Sequence, residues 1–116
     1  MNLIRLPHHE HPAPPYHELR QKTVFDSGSR NIGQVENLYV DDDRNLQFFD
    51  VVASGLLGLG KKHHLVPAEA ITDEDPGDIT LGVDQGTVEG AAPLLDPHVG
   101  PDEELQRATR EHYGYS

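Results

Sequence analysis

Eight histidines, a glycine-rich turn running into two lysines, and several knots of acids are the residues of this chain whose types and spacing could do chemistry. The segment from Gly55 to Ala70 sets Gly55, Gly58 and Gly60 and a bare Leu56-Leu57 pair ahead of Lys61, Lys62, His63 and His64. Such a turn can offer backbone N–H groups to an anion, with the basic residues adding charge. A Walker-type phosphate cradle requires Gly-x-x-x-x-Gly-Lys-[Ser/Thr] opening into a helix. Gly55 and Gly60 have that spacing and Lys61 follows. Lys62, however, stands where a hydroxyl must reach magnesium, and the residues beyond it have the pattern of a strand. The helix N-terminus that would bind the phosphate is missing. The turn therefore reads as a tight corner whose glycines supply φ > 0. Leu56 and Leu57 at its tip, beside Lys61, Lys62 and His63, make a surface suited to a protein partner.

His8, His9, His11 and His17 share one short stretch and invite transition-metal chelation, with His63 and His64 as further donors. Neighbouring strand residues face opposite sides, so His63 and His64 cannot hold one ion between them unaided. The helical His-Glu-x-x-His motif is absent, because His8, Glu10 and His11 have the wrong spacing and lie among prolines. Adventitious binding is expected, with no metal ligand set and no cofactor assigned. A His-based metal-binding protein is kept as a rival reading. Charging of the histidines below about pH 6.5 would move the net charge from −11 towards −3, which predicts pH-dependent solubility and association.

Asp41, Asp43 and Asn45 fit three points of a calcium loop, but Leu46 replaces the required glycine. A solvated hairpin turn is the expectation there, and likewise for Asp73, Glu74, Asp75 and Asp78. None of Ser27, Ser29, Ser54 and Ser116 lies in Gly-x-Ser-x-Gly. The carboxylates sit in expected turns, where ordinary pKa values are unsuited to acid–base work. Glu69, an acid among apolar neighbours, is expected to accept backbone N–H bonds at a turn or short helix start rather than to act as a buried general acid. No catalytic residue is assigned, and the chain is not expected to be an enzyme.

These residues must be positioned by a small scaffold. At 116 residues with 35% hydrophobic content, the chain suits one domain with a modest core plus tails. Nine basic against twenty acidic residues disfavour direct binding to nucleic acid or to anionic membranes. The absence of cysteine excludes disulfides, thiol nucleophiles and Cys-based zinc sites. No apolar run approaches the roughly 18 residues of a membrane span. The start lacks a secretory h-region, so a soluble cytoplasmic protein is expected.

Residues 1–21, with Pro7, Pro12, Pro14 and Pro15 among the histidines, read as an extended arm packed through Leu3, Ile4, Leu6 and Tyr16. Glu18 to Lys22 suggests a short helical turn. A strand at Thr23–Phe25, a turn at Asp26–Arg30 and a long strand from Asn31 to Asp41 follow. Gly33 between Ile32 and Val35 predicts a bulge. After a hairpin at Asp41–Asn45 come strands from Leu46 to Ala53 and through His64 to Val66, the latter stopped by Pro67. A turn is expected to drop Ile71 into the core, Asp73–Asp78 to turn again, and Ile79–Leu81 to form the last strand. Short strands at close intervals indicate a small sheet barrel. Residues 86–116 read as an extension. Its helix over Pro101–His112 begins with acids, ends with bases and has a thin apolar face of Leu105 and Ala108.

Val24 to Gly28, Ile32 to Val35, Leu38 to Asp41, Phe48, the segment from Gly55 to Ala70, and Ile79 to Leu81 with Val88, Ala92 and Pro93 together resemble the PRC-barrel family. Asp96, Pro97 and the Tyr113-Gly-Tyr115 ending look like the variant with a C-terminal extension. The resemblance implies a mainly β fold, a small β-barrel over residues 22–85 with a short C-terminal helix, to which the residues themselves add the extended N-terminal arm. It also implies a non-catalytic assembly module with protein partners, expected here to be a homodimer or higher homo-oligomer. No catalytic residue set comes with the family, and the arm has no counterpart in it. Leu56, Leu57, Lys61, Lys62, His63, Tyr113 and Tyr115 are the expected partner-binding residues. An RNA-processing or ribosome-maturation accessory barrel is the other rival, against which the charge of −11 speaks.

Overall fold

The computed structural model describes residues 1–53 and 62–115. Within them the chain forms β1 (Ile4–Arg5), β2 (Thr23–Phe25), β3 (Asn31–Val40), β4 (Leu46–Val52), β5 (His63–Pro67), β6 (Ile71–Glu74), β7 (Asp78–Leu81), α1 (Gln85–Gly90) and α2 (Glu103–Tyr113). The strands make one sheet in the order β5-β4-β3-β2-β7-β6, and β1 pairs with the far end of β3. The β2–β7 pairing is parallel and the others are antiparallel. No ladder among the described residues joins β5 to β6. The 3-10 turn Ala68–Ala70 connects these two ends of the sheet.

The expected strands are present, and their apolar residues form the core. Val24, Val35, Leu38, Val51, Val66, Ile79 and Leu81 pack into a main cluster, while Tyr39, Phe48, Leu65 and Leu94 make a second. The expected irregularity around Gly33 is there: the β2–β3 register shifts between Val24 and Phe25. Gly33 has φ +138°, and a Cβ would stand 2.4 Å from the Val52 carbonyl oxygen, so only glycine fits. A second irregularity was not expected. Val35 faces Val51 and Leu38 faces Phe49, so Glu36 and Asn37 both oppose the single residue Asp50. This is a β-bulge in the middle of the longest strand.

Three elements after β5 depart from the sequence expectation. Ile71–Glu74 is the edge strand β6 rather than the start of a turn, and Ile71 is only partly buried while Ala70 is fully buried. Acids suppressed the strand signal there, which is what edge strands use to deter pairing with other chains. Gln85–Gly90 is helical across the expected boundary at residue 86, capped by Asp84, and it buries Val88 in the main cluster. In α2 the buried residues are Gln106, Thr109 and Tyr113, with Leu105 partly buried. The Gln106 amide donates to the carbonyls of Met1 and Pro101, which makes a polar residue suitable for a docked face.

The N-terminal segment is ordered against the sheet. Leu6 is buried and its N–H donates to the Leu38 carbonyl, while Ile4 is exposed. Glu18 to Lys22 forms a turn closed by a Lys22 N–H to Leu19 carbonyl bond, not a helix. Among the described residues no helix is long and apolar enough to cross a membrane.

Candidate functional site

Asp50 interrupts the apolar run of β4 and is fully buried. A carboxylate in such a place costs free energy unless donors satisfy it. The bulge supplies them. Asn37 has lost its ladder partner, and its backbone N–H donates to Asp50 Oδ1 instead. The Asn37 side-chain amide donates to Oδ2 at 3.2 Å. On the other flank His63, at the start of β5, places Nδ1 at 2.7 Å from the same Oδ2. With the carboxylate as acceptor, Nδ1 carries the proton and Nε2 is left as the acceptor. Strand register explains the meeting: Asp50 faces Leu65 and Val52 faces His63, so Asp50 and His63 are diagonal neighbours on one face.

Glu36, the other bulge residue, sets its Oε2 at 3.7 Å from His63 Nδ1. One potential donor atom from each of Glu36, Asp50 and His63 lies within 4.8 Å of the other two, and this is the one such group of three among the described residues. Sequence reading placed His63 at a partner surface and passed over Glu36 and Asp50. The signal that could have found Asp50 is a lone acid within Phe48-Phe49-Asp50-Val51-Val52, since acids are almost never fully buried unless paired. His64, on the opposite face of β5, has its pKa lowered by burial.

The other expected site residues are scattered. Leu56, Leu57 and Lys61, with Gly55, Gly58 and Gly60, lie outside the described residues. Lys62 is exposed. Tyr113 is buried in the main cluster, and its hydroxyl donates to the Leu65 carbonyl at 3.4 Å. Tyr115 stacks on Tyr113 with ring centroids 6.3 Å apart. Both tyrosines expected to meet a partner thus serve the docking of α2 on its own sheet.

The arm histidines face different carboxylates: His9 meets Glu10, His11 meets Glu18 and His17 meets Glu74. They do not converge on one point. Asp41 is a hairpin carboxylate, accepting the N–H groups of Asp43 and Asn45 at 2.9 Å each, and the bond from Asn45 leads the causes that lower its pKa. Glu69 is exposed and pairs with Arg110 of α2. It is a surface ion-pair partner, not the backbone-bonded cap expected.

Two large apolar side chains stand out from the surface beyond the sheet, Leu95 at 89% and Val99 at 71% exposure. They flank a turn held by the Asp96 carbonyl, which accepts the N–H groups of Val99 and Gly100. The turn itself is tied down. Leu94 is buried and donates its N–H to the His63 carbonyl, and the Tyr39 hydroxyl donates to the Pro97 carbonyl at 2.6 Å.

The family model described as PRC-barrel domain matches residues 15–89, which is more than half of the chain and includes Glu36, Asp50 and His63. No curated protein gives a significant match.

Proposed function

The chain belongs to the PRC-barrel family, and from that premise we propose that it is a non-catalytic protein–protein interaction and assembly module that associates with itself. The observation that carries this reading is the rigidly presented pair Leu95 and Val99. Apolar side chains this exposed are common singly. Here two of them flank one turn whose backbone is fastened to the sheet at two points, Leu94 just before it and Pro97 within it. A surface already held in one conformation loses little entropy when a partner covers it. The basic shoulder at Lys62 and the leucines at 56 and 57 remain part of the reading, as a second contact for a chain whose own charge is −11.

Sedimentation velocity across a concentration series tests it. Wild-type protein should sediment as a dimer or larger species. Leu95→Ser with Val99→Ser should shift the equilibrium towards monomer while far-UV circular dichroism stays unchanged. Leu56→Ser with Leu57→Ser should do the same if the glycine turn takes part. A wild-type protein that remains monomeric at every concentration would remove self-association from the proposal.

A further inference from the structure

We propose that Glu36, Asp50 and His63 form a binding site for one divalent transition-metal ion. The donors are an imidazole nitrogen and two carboxylate oxygens, all within 4.8 Å of one another, and this mixed set differs from a surface knot of acids. Imidazole with carboxylate suits first-row ions such as Zn²⁺, Mn²⁺ and Fe²⁺.

The site is also partly built in advance. Asp50 is fully buried, and Asn37 holds both of its oxygens, one through the backbone N–H and one through the side-chain amide. Hydrogen bonds of this kind from outside the ligand set orient ligating carboxylates. The three side chains come from β3, β4 and β5, neighbours in the sheet order, so paired backbone sets their separations. On binding, the ion takes the place of the proton on His63 Nδ1 beside Asp50 Oδ2, and the imidazole stays neutral with its one proton on Nε2. Two carboxylates match the charge of a divalent ion, which lessens the cost of holding it at a half-buried position. The overall charge of −11 raises the local concentration of cations. Three protein ligands leave coordination positions open for water or for a donor atom from another molecule.

This site does not depend on the assembly reading, and the two fail separately: one is read by stoichiometric metal binding, the other by sedimentation. Calorimetric titration with Zn²⁺ is the test, made on the full chain and on a variant with His8, His9, His11 and His17 all changed to Asn. That variant removes adventitious chelation by the arm. The arm variant should bind one equivalent, the full chain should show that equivalent in the same affinity range beside any weaker binding by the arm, and binding should raise the melting temperature by linking β3, β4 and β5. In the arm variant, His63→Asn and Glu36→Gln should each weaken affinity by about tenfold or more. Asp73→Asn, an exposed acid on β6, should leave it unchanged. Circular dichroism checks that His63→Asn is folded, and the Glu36→Gln arm stands by itself because that side chain is partly exposed at a bulge. Loss of binding in the arm variant would overturn the proposal. So would equal weakening by Glu36→Gln and Asp73→Asn, which is the signature of diffuse charge attraction, or unchanged affinity in His63→Asn.

Discussion

The N-terminal arm and the C-terminal extension are both attached to the same sheet, yet with different weights of polar and apolar contact. The N-terminal arm sends Leu6 and Leu19 into the main cluster, with Tyr16 packed against it, and the stretch between these anchors is held chiefly by polar bonds. Arg20 is the clamp. Its guanidinium donates to the carbonyls of Leu6, Pro7 and Glu10 and pairs with the Glu18 carboxylate, while its side chain is 6% exposed. The C-terminal extension relies more on buried rings and apolar side chains. Leu94 joins the cluster of Tyr39, Phe48 and Leu65, Tyr113 enters the main core, and two tyrosine hydroxyls complete the attachment. Past β1, prolines at 7, 12, 14 and 15 prevent a continued ladder or a helix, so the carbonyls there need an outside donor, and one arginine with five N–H groups supplies several at once. The helix α2 brings Tyr113 and the partly buried Leu105, with the polar Gln106 and Thr109 buried beside them. The two termini should therefore come loose under different conditions.

The largest effects should come from cutting each attachment at its centre. Tyr113→Ala removes a ring that is 8% exposed and should cost about 3–4 kcal/mol in chemical denaturation. Arg20→Met keeps the aliphatic stem but leaves three carbonyls without the guanidinium and Glu18 with only the backbone N–H of residue 20, an expected loss of about 2–3 kcal/mol. Hydrogen exchange separates the two. Arg20→Met should speed exchange at the N–H groups of Leu6 and Ala13, which bond to the Leu38 and Arg44 carbonyls, and spare α2. Tyr113→Ala should do the reverse. Equal loosening of both ends in either variant would dissolve the contrast.

Solution pH should distinguish them next. Burial opposes ionisation of Glu18, yet the hydrogen bonds from the Arg20 guanidinium and backbone, with the nearby charges, hold its carboxyl below the ordinary 4.5. A carboxyl with a lowered folded-state pKa contributes stability above its unfolded value and loses it as pH falls through the folded one. The arm should begin to loosen below about pH 4.5. Tyr39 and Tyr113 are shifted the other way. Burial, helped at Tyr39 by the negative charge of Asp50 and at Tyr113 by Tyr115, raises both above the usual 10.0. Their contribution is whole below the unfolded value and is lost as pH rises towards the folded one, so the extension should loosen above about pH 10. Exchange rates of arm and α2 amides measured across pH would check the order.

The smallest expected change sharpens the comparison within the extension itself. Tyr39→Phe keeps the ring against Gly100 and removes only the bond to the Pro97 carbonyl. It should cost about 1 kcal/mol and raise exchange at Val99 and Gly100 without disturbing α2.

Much of this fold was legible because its signals are local. The strands at Thr23–Phe25, Asn31–Val40, Leu46–Val52 and His63–Pro67 carry dense apolar residues between turn residues, and Pro67 stops the last of them. α2 advertises both ends, with Asp102 accepting the Leu105 N–H and Gly114 at φ +87° after its last turn. β1 is two residues long, and β6 carries the acids of an edge, so neither presents enough periodicity to be read. The thin apolar face assigned to α2 failed for a related reason. Gln106 and Thr109 are buried because of what they dock against, which residue type alone does not disclose. In the candidate site only His63 drew attention, because a histidine beside lysines is conspicuous and a carboxylate in a strand is not.

By itself, then, the sequence determined the strands from β2 to β5 and β7 with their turns, the excess of acids, the absence of thiol chemistry and the resemblance to a barrel family. These depend on residues within a few positions of one another or on counts. Only the tertiary structure decided which polar groups meet. Asp50 lies 13 positions from both Asn37 and His63, Arg20 lies up to 14 from the carbonyls it clamps, and Tyr39 lies 58 from Pro97. Each meeting depends on register, and in β3 the register depends on one extra residue in a bulge. A shift of a single residue turns a strand's side chains to the other face of the sheet, so a site built across three strands exists only once their pairing is set.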